Sequence, residues 1–262
     1  MNAWYLVAFG TNIAVLYMTV TWFLAKRTDN AGWVDVAWSF LFAPLVWMCF
    51  ALGTGDPTRR LIIAGMVTIW SLRLGLHILA RLLKNRDEED PRYKSLRFKY
   101  PRRPWLMFFG FFQLQGILAA ILCAPFAVVS MNKSPALSPI ELAGITLWVV
   151  AILGEILSDH QLQAFRNNPE NKGHVCDVGL WRFSRHPNYF FEWLIWVSYY
   201  LFACGASNGW QTIFVPLLML FFLTKVTGIP PAEEQSLKSR GDAYRDYQKR
   251  TSAFIPWFPK ST

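Results

Sequence analysis

The chain is 262 residues long, 53% hydrophobic and 16% aromatic, with 13 Trp and a formal net charge of +9. Its apolar residues come in runs of about 20, the length that crosses a hydrocarbon core, which excludes an ordinary soluble domain. Inside such runs the backbone satisfies its polar groups only as helix, so the cation excess points to loops facing anionic lipid rather than to nucleic acid.

Seven runs follow in chain order, at 4–25, 34–53, 61–83, 105–130, 138–162, 188–206 and 209–229. The first is too long for a cleavable signal and has no basic segment before it, so it is expected to stay as a span. Residues 27–30, 53–57, 132–135 and 204–209 carry the Asn, Asp, Gly and Pro that break the runs. The expected fold is all-α: one multi-pass membrane domain over 1–262 with seven transmembrane helices.

Charge tests the count. With seven spans, 20 Lys and Arg fall in loops and tail on one side, against Arg59, Arg60 and Lys133 on the other. The positive-inside rule then places the N-terminus outside and the tail in the cytosol, in the inner (plasma) membrane if the cell is bacterial.

Ionisable groups within spans are costly and therefore mark candidate sites. Asp35 opens the second run, and Arg73 and His77 share one face of the third at i, i+4 spacing. Glu155 and Asp159 repeat that spacing late in the fifth run, and Asn188 and Glu192 do so at the start of the sixth. All are expected in the cytosolic half. Each also has a plainer reading: carboxylates favoured by helix N-termini, an Arg73–Asp35 ion pair, a hydrogen-bonded histidine, solvated ends. The basic connection after residue 84 begins with Asp87-Glu88-Glu89-Asp90 and continues through Pro91-Arg92-Tyr93. It suits lipid headgroups, or an Arg92 fork on the phosphates of an anionic cofactor.

Cys49, Cys123 and Cys204 sit in apolar runs and Cys176 in a loop, with no CxxC pair, so no metal site is expected. Four separated histidines exclude a di-iron desaturase.

The most specific stretch runs from Gly179 through Arg182, Ser184, Arg185, His186, Pro187, Asn188 and Tyr189 into the sixth run. Cations, a histidine and an amide at a helix entrance suit an anionic ligand. A tail with Glu233-Glu234, Tyr244, Tyr247 and Ile255-Pro256-Trp257 follows. On these residues, with Asp35, Trp38, the 73–93 stretch, Ser158-Asp159 and Arg166, the chain resembles a membrane superfamily. Its members are steroid 5α-reductases, sterol reductases and isoprenylcysteine carboxyl methyltransferases. The closest resemblance is to the steroid 5-alpha reductase-like branch with the DUF1295 domain.

The resemblance implies NADPH held by the half from about 138 to 262, with Arg166, Asn188 and a tail tyrosine on the cofactor and Arg73 at its nicotinamide end. Arg92, Glu155, Asp159, Arg182, Arg185, His186, Tyr189, Glu192, Tyr244 and Tyr247 complete the candidate cofactor set. The expected reaction is reduction of an activated C=C bond in a lipid-like, steroid or fatty-acyl substrate. His77 or a protonated Asp35 would donate to the developing oxyanion, and Trp33, Trp38 and Trp70 would wall the substrate pocket. Absence of GxGxxG excludes a Rossmann domain. Steroid reductases carry Gln-Glu in the second span and Tyr in the third, where this chain has Val34-Asp35 and Trp70, so the amide and phenol are missing. An S-adenosylmethionine-dependent methyltransferase and a transporter are the alternative readings.

Overall fold

The computed structural model describes residues 2–84 and 88–260. Asp87, the first member of the acidic block, lies outside the described residues, as does Arg86. Among the described residues the secondary structure is helical, and a single isolated bridge joins Ser184 to Ser252. Six stretches are long and apolar enough to cross a membrane: Ala3–Arg27, Trp33–Leu52, Pro57–Lys84, Pro104–Val129, Pro139–Asn167 and Gly209–Arg240. The chain is an integral membrane protein. The expected run at 188–206 forms a helix of 17 residues and is not among the six.

The chain divides into two compact units, Met1–Ser138 with Ala203–Thr212, and Pro139–Phe202 with Ile213–Thr262. The first holds α1 (Ala3–Arg27), α2 (Trp33–Leu52), α3 (Pro57–Lys84), α4 (Pro91–Lys99), α5 (Pro104–Leu122) and α6 (Ala124–Val129). Asn2 caps α1 by accepting from the Tyr5 amide at 3.1 Å. Small residues let the helices approach: a Cβ on Gly75 would lie 2.7 Å from the Phe40 ring. Trp70 is fully buried, and both it and Trp38 meet Phe42 edge-on. Arg59, also buried, donates to the carbonyls of Ser134 and Ala136, which stitches the start of α3 to the end of the unit.

Two sequence expectations change here. The run at 105–130 is broken at Cys123 into α5 and α6, with Pro125 in the first turn of α6, where its missing N–H costs nothing. The basic connection contains a helix, α4. Asp90 caps it through the Arg92 amide at 2.9 Å, and Pro91 occupies the first turn.

The second unit holds α7 (Pro139–Asn167), α8 (Pro187–Ala203), α9 (Phe214–Phe221), α10 (Ile229–Arg240) and α11 (Asp242–Arg250). α7 continues five residues past the expected end of the fifth run, so Arg166 stands on its last turn. A π-helical turn at Phe222–Val226 follows α9, and Gly241, at φ 55°, separates α10 from α11.

Candidate functional site

In the first unit the candidate residues gather at the N-terminus of α2. The Ala31 amide donates to Glu89 Oε1 at 2.8 Å and the Gly32 amide to Asn30 Oδ1 at 2.9 Å, so side chains satisfy this helix end. Asp35, one turn further, accepts on both oxygens: from the Tyr93 hydroxyl at 2.7 Å and from Arg92 Nη2 at 2.8 Å. Arg92 also donates through Nε to Asp90 at 2.9 Å. Arg97 pairs with Glu89 at 2.7 Å and Asp29 at 3.1 Å, and its guanidinium lies 4.5 Å from the centroid of the Trp105 ring. One short helix thus clamps the α2 terminus through two arginines and a tyrosine.

Tyr93 is buried against Phe108 and Phe111. Burial, followed by the charge of Asp35, holds its phenol well above the ordinary tyrosine range, so it stays an O–H donor. Burial works to lower the Arg92 guanidinium, but Asp35 and Asp90 more than offset it and the group is held above its ordinary value. Asp35 borders a pocket of roughly 320 Å³, together with Ile78, Arg81, Glu89, Asp90 and Lys94.

The remaining front-end candidates are placed differently. His77 is exposed on α3 and Arg73 half-buried, one turn apart. Trp33 and Trp38 are half-buried. Asp35 is partnered by Arg92 and Tyr93.

In the second unit the Arg-His-Pro-Asn-Tyr entrance is strapped to the tail. The Arg185 amide donates to the Ser252 carbonyl at 2.8 Å, Ser184 Oγ to Phe254 at 2.8 Å, and the Trp257 amide to Phe183 at 2.9 Å. Arg185 Nε meets Glu233 at 2.7 Å, and its Nη1 donates to the carbonyls of Gln248 and Thr251. His186 lies 3.4 Å from the same Glu233 oxygen and stacks on Tyr189 at 5.4 Å. The Tyr247 hydroxyl donates to the Trp181 and Ser184 carbonyls, and burial pushes its phenol up. Tyr244 is pushed up to about 12, chiefly by burial and then by Glu233. Arg185 and Tyr247 are thereby engaged in holding the tail on the entrance to α8.

Deeper on α7 and α8, Glu155 and Glu192 are buried. Trp196 donates to Glu192 at 2.9 Å and Trp148 to the Tyr199 hydroxyl at 3.3 Å. Asn188 donates to Asp159 at 3.3 Å. Arg166 and Arg182 are exposed. The Asn188 amide can donate to, and the Asp159 carboxylate accept from, ligand hydroxyls, and an exposed guanidinium suits anionic oxygens.

Sequence reasoning gave no role to Tyr93, Glu89, Asp90 or Glu233. The Asp90-Pro91 pair is a helix-start signal, and it would have put Arg92 and Tyr93 on a first turn.

The DUF1295 family, described as a protein of unknown function, matches residues 21–251. An uncharacterized protein of Schizosaccharomyces pombe, C594.04c, is 28% identical over 277 positions, covering 94% of this chain and 78% of its own length. The 3-oxo-5-alpha-steroid 4-dehydrogenase 1 of Bos taurus is 27% identical over 157 positions, 60% of this chain and 56% of that protein. No solved structure matches the chain significantly.

Proposed function

From the premise that the chain belongs to the DUF1295 family, we propose that it is a membrane-embedded, NADPH-dependent reductase of an activated C=C bond in a lipid-like substrate. The observation that carries this reading is the Asp35–Tyr93 hydrogen bond, braced by Arg92 and bordering a pocket. The similarity to a bovine steroid 4-dehydrogenase supplies the reaction class.

Reduction of a conjugated C=C bond needs a hydride at the β-carbon and a proton on the oxygen or α-carbon. As the hydride adds, the π electrons move toward the conjugated oxygen, which must be met by a donor. The Tyr93 hydroxyl donates to Asp35 over 2.7 Å, and Asp35 is the member at the pocket. The Asp35–Tyr93 pair is assigned the delivery of that proton: Asp35 takes a proton from solvent at the pocket, hands it to the oxygen and returns to the carboxylate, which Tyr93 and Arg92 hold by donating to its two oxygens. It stands in for the phenol missing at Trp70.

Bound NADPH would supply the hydride. Arg166 and Arg182 would take its phosphates, Asp159 and Asn188 its ribose hydroxyls, and Tyr189 and Tyr244 would flank it. The reading of a lipid-like substrate is supported by the membrane-spanning helices and by the similarity to a bovine steroid enzyme. The pocket beside Asp35 is lined largely by charged residues, and Trp33, Trp38 and Trp70 are not among them. On the expected charge asymmetry, the cofactor comes from the cytosol.

Titrating purified full-length protein with NADPH and with S-adenosylmethionine tests the reading. Enhanced nicotinamide fluorescence, weakened at least tenfold in Arg166→Gln/Arg182→Gln protein, is expected. Binding of S-adenosylmethionine alone would refute it in favour of a methyltransferase, and binding of neither would favour a transporter.

A further inference from the structure

The six cations between Pro91 and Pro104 fall into two sets. Arg92 and Arg97 turn inward onto Asp35, Asp90, Glu89 and Asp29. Lys94, Lys99, Arg102 and Arg103 are exposed, and none of them pairs with a carboxylate among the described residues. The segment contains no acidic residue. Amid these outward cations stands Phe98, at 89% the most exposed large apolar side chain among the described residues. Tyr100 beside it is 46% exposed.

Position gives this face its surroundings. α3 ends at Lys84 and α5 begins at Pro104, and both belong to stretches able to cross a membrane. A nine-residue helix between two span ends lies at a membrane surface. Cations around a projecting aromatic ring suit the boundary between anionic headgroups and acyl chains, where the ring is buried and the cations meet phosphate. A soluble acidic partner would leave Phe98 without that apolar layer.

We propose that the outer face of α4 and the turn after it, Lys94, Phe98, Lys99, Arg102 and Arg103, dock on anionic lipid, and that this docking holds Arg92 and Tyr93 against Asp35. The docking stands on geometry and charge; its consequence for turnover rests on the role proposed above for Asp35. Membranes richer in anionic lipid then keep the clamp closed.

The test uses full-length protein in nanodiscs of phosphatidylcholine alone or mixed with phosphatidylglycerol, read by hydrogen–deuterium exchange and native mass spectrometry. The α4 amides are expected to exchange several-fold more slowly with phosphatidylglycerol present. The Lys99→Gln/Arg102→Gln/Arg103→Gln protein loses that difference while keeping its melting temperature in detergent. Each cation removed lowers affinity for retained phosphatidylglycerol about fivefold. Equal exchange in both lipids would overturn the proposal, as would a lipid difference that survives in the triple variant. Slowing by a short DNA duplex but not by phosphatidylglycerol would also overturn it. Lipid-dependent protection in protein that binds no NADPH supports the docking while removing the reductase reading.

Discussion

The Tyr93 hydroxyl reaches back 58 positions to donate to Asp35 Oδ1 at 2.7 Å, while Arg92, its neighbour in sequence, donates to the other carboxylate oxygen. A nine-residue helix thereby fixes both oxygens of a carboxylate at the start of a spanning helix. Tyr93→Phe keeps the ring contacts with Phe108 and Phe111 and removes only the donor. It is expected to lower stability by about 2 kcal/mol, as loss of a hydrogen bond to a charged acceptor does. If the pair delivers the proton, NADPH oxidation falls at least about 100-fold while NADPH affinity holds. Asp35→Asn should match it, whereas His77→Ala, on an exposed turn of α3, should stay within about twofold of the parent. Stopped-flow oxidation and equilibrium binding separate the two effects.

The same clamp is expected to weaken at both ends of the pH range. Burial works to raise the Asp90 carboxyl, but the hydrogen bond and charge of Arg92 outweigh it, and the group sits below its ordinary value of 3.8. Its contribution is present above that value and is lost as pH falls further, toward the lower folded value. Tyr93 shifts the other way, above 10.0, so its contribution is present below about pH 10 and is lost as pH rises through the folded value. Amide protection of Pro91–Lys99 should therefore form a plateau that falls at both ends. Asp90→Asn should remove the acid limb and Tyr93→Phe should shrink the alkaline one. A limb that persists unchanged in its variant would assign the titration to another group.

The spans were legible because a membrane demands runs of about 20 apolar residues, which no other signal imitates. Asp35, Glu155 and Glu192 stood out as charges within such runs, for the same reason. α4 escaped notice because six cations in a polar connection read as a loop, although Asp90-Pro91 marks a helix start. Asp35's partners lie more than fifty positions away, and composition carries no record of that pairing. The same holds for Glu233, whose bonds to Arg185 and His186 exist only once the tail folds back. The end of α7 was set too early because the apolar window closes before the helix does. Ser158–Asn167 is polar but remains helical.

Arg185 is expected to be the anchor of the second unit's tail. Its Nε pairs with Glu233 at 2.7 Å, with the two side chains only 10% and 18% exposed, and its Nη1 serves two carbonyls. Arg185→Lys keeps the charge but cannot reproduce that fork. It should cost about 3 kcal/mol, since one partner of a largely buried pair is left poorly satisfied. Glu233→Gln should cost as much or more, because it leaves the Arg185 cation without its counter-charge. Limited proteolysis reads this directly: cleavage within 229–250 should rise strongly in both variants. Equal resistance of both to the parent would remove Arg185 as the anchor.

Gly144 tests what holds α7 to α8 inside the second unit. A Cβ there would lie 2.9 Å from the Phe202 amide nitrogen and 3.0 Å from the Ser198 carbonyl, both backbone atoms that cannot swing aside. Between helices in lipid, close packing supplies association that water would otherwise drive, so the approach itself is the stabilising contact. Gly144→Val must part the two helices and is expected to cost about 1–3 kcal/mol in mixed-micelle unfolding. Gly65, on α3, has nothing within 4 Å of its Cβ position. Gly65→Ala should be neutral or gain up to about 1 kcal/mol from helix propensity. Opposite signs at the two positions would tie the Gly144 cost to its neighbours. Equal losses at both would show that the close approach contributes nothing.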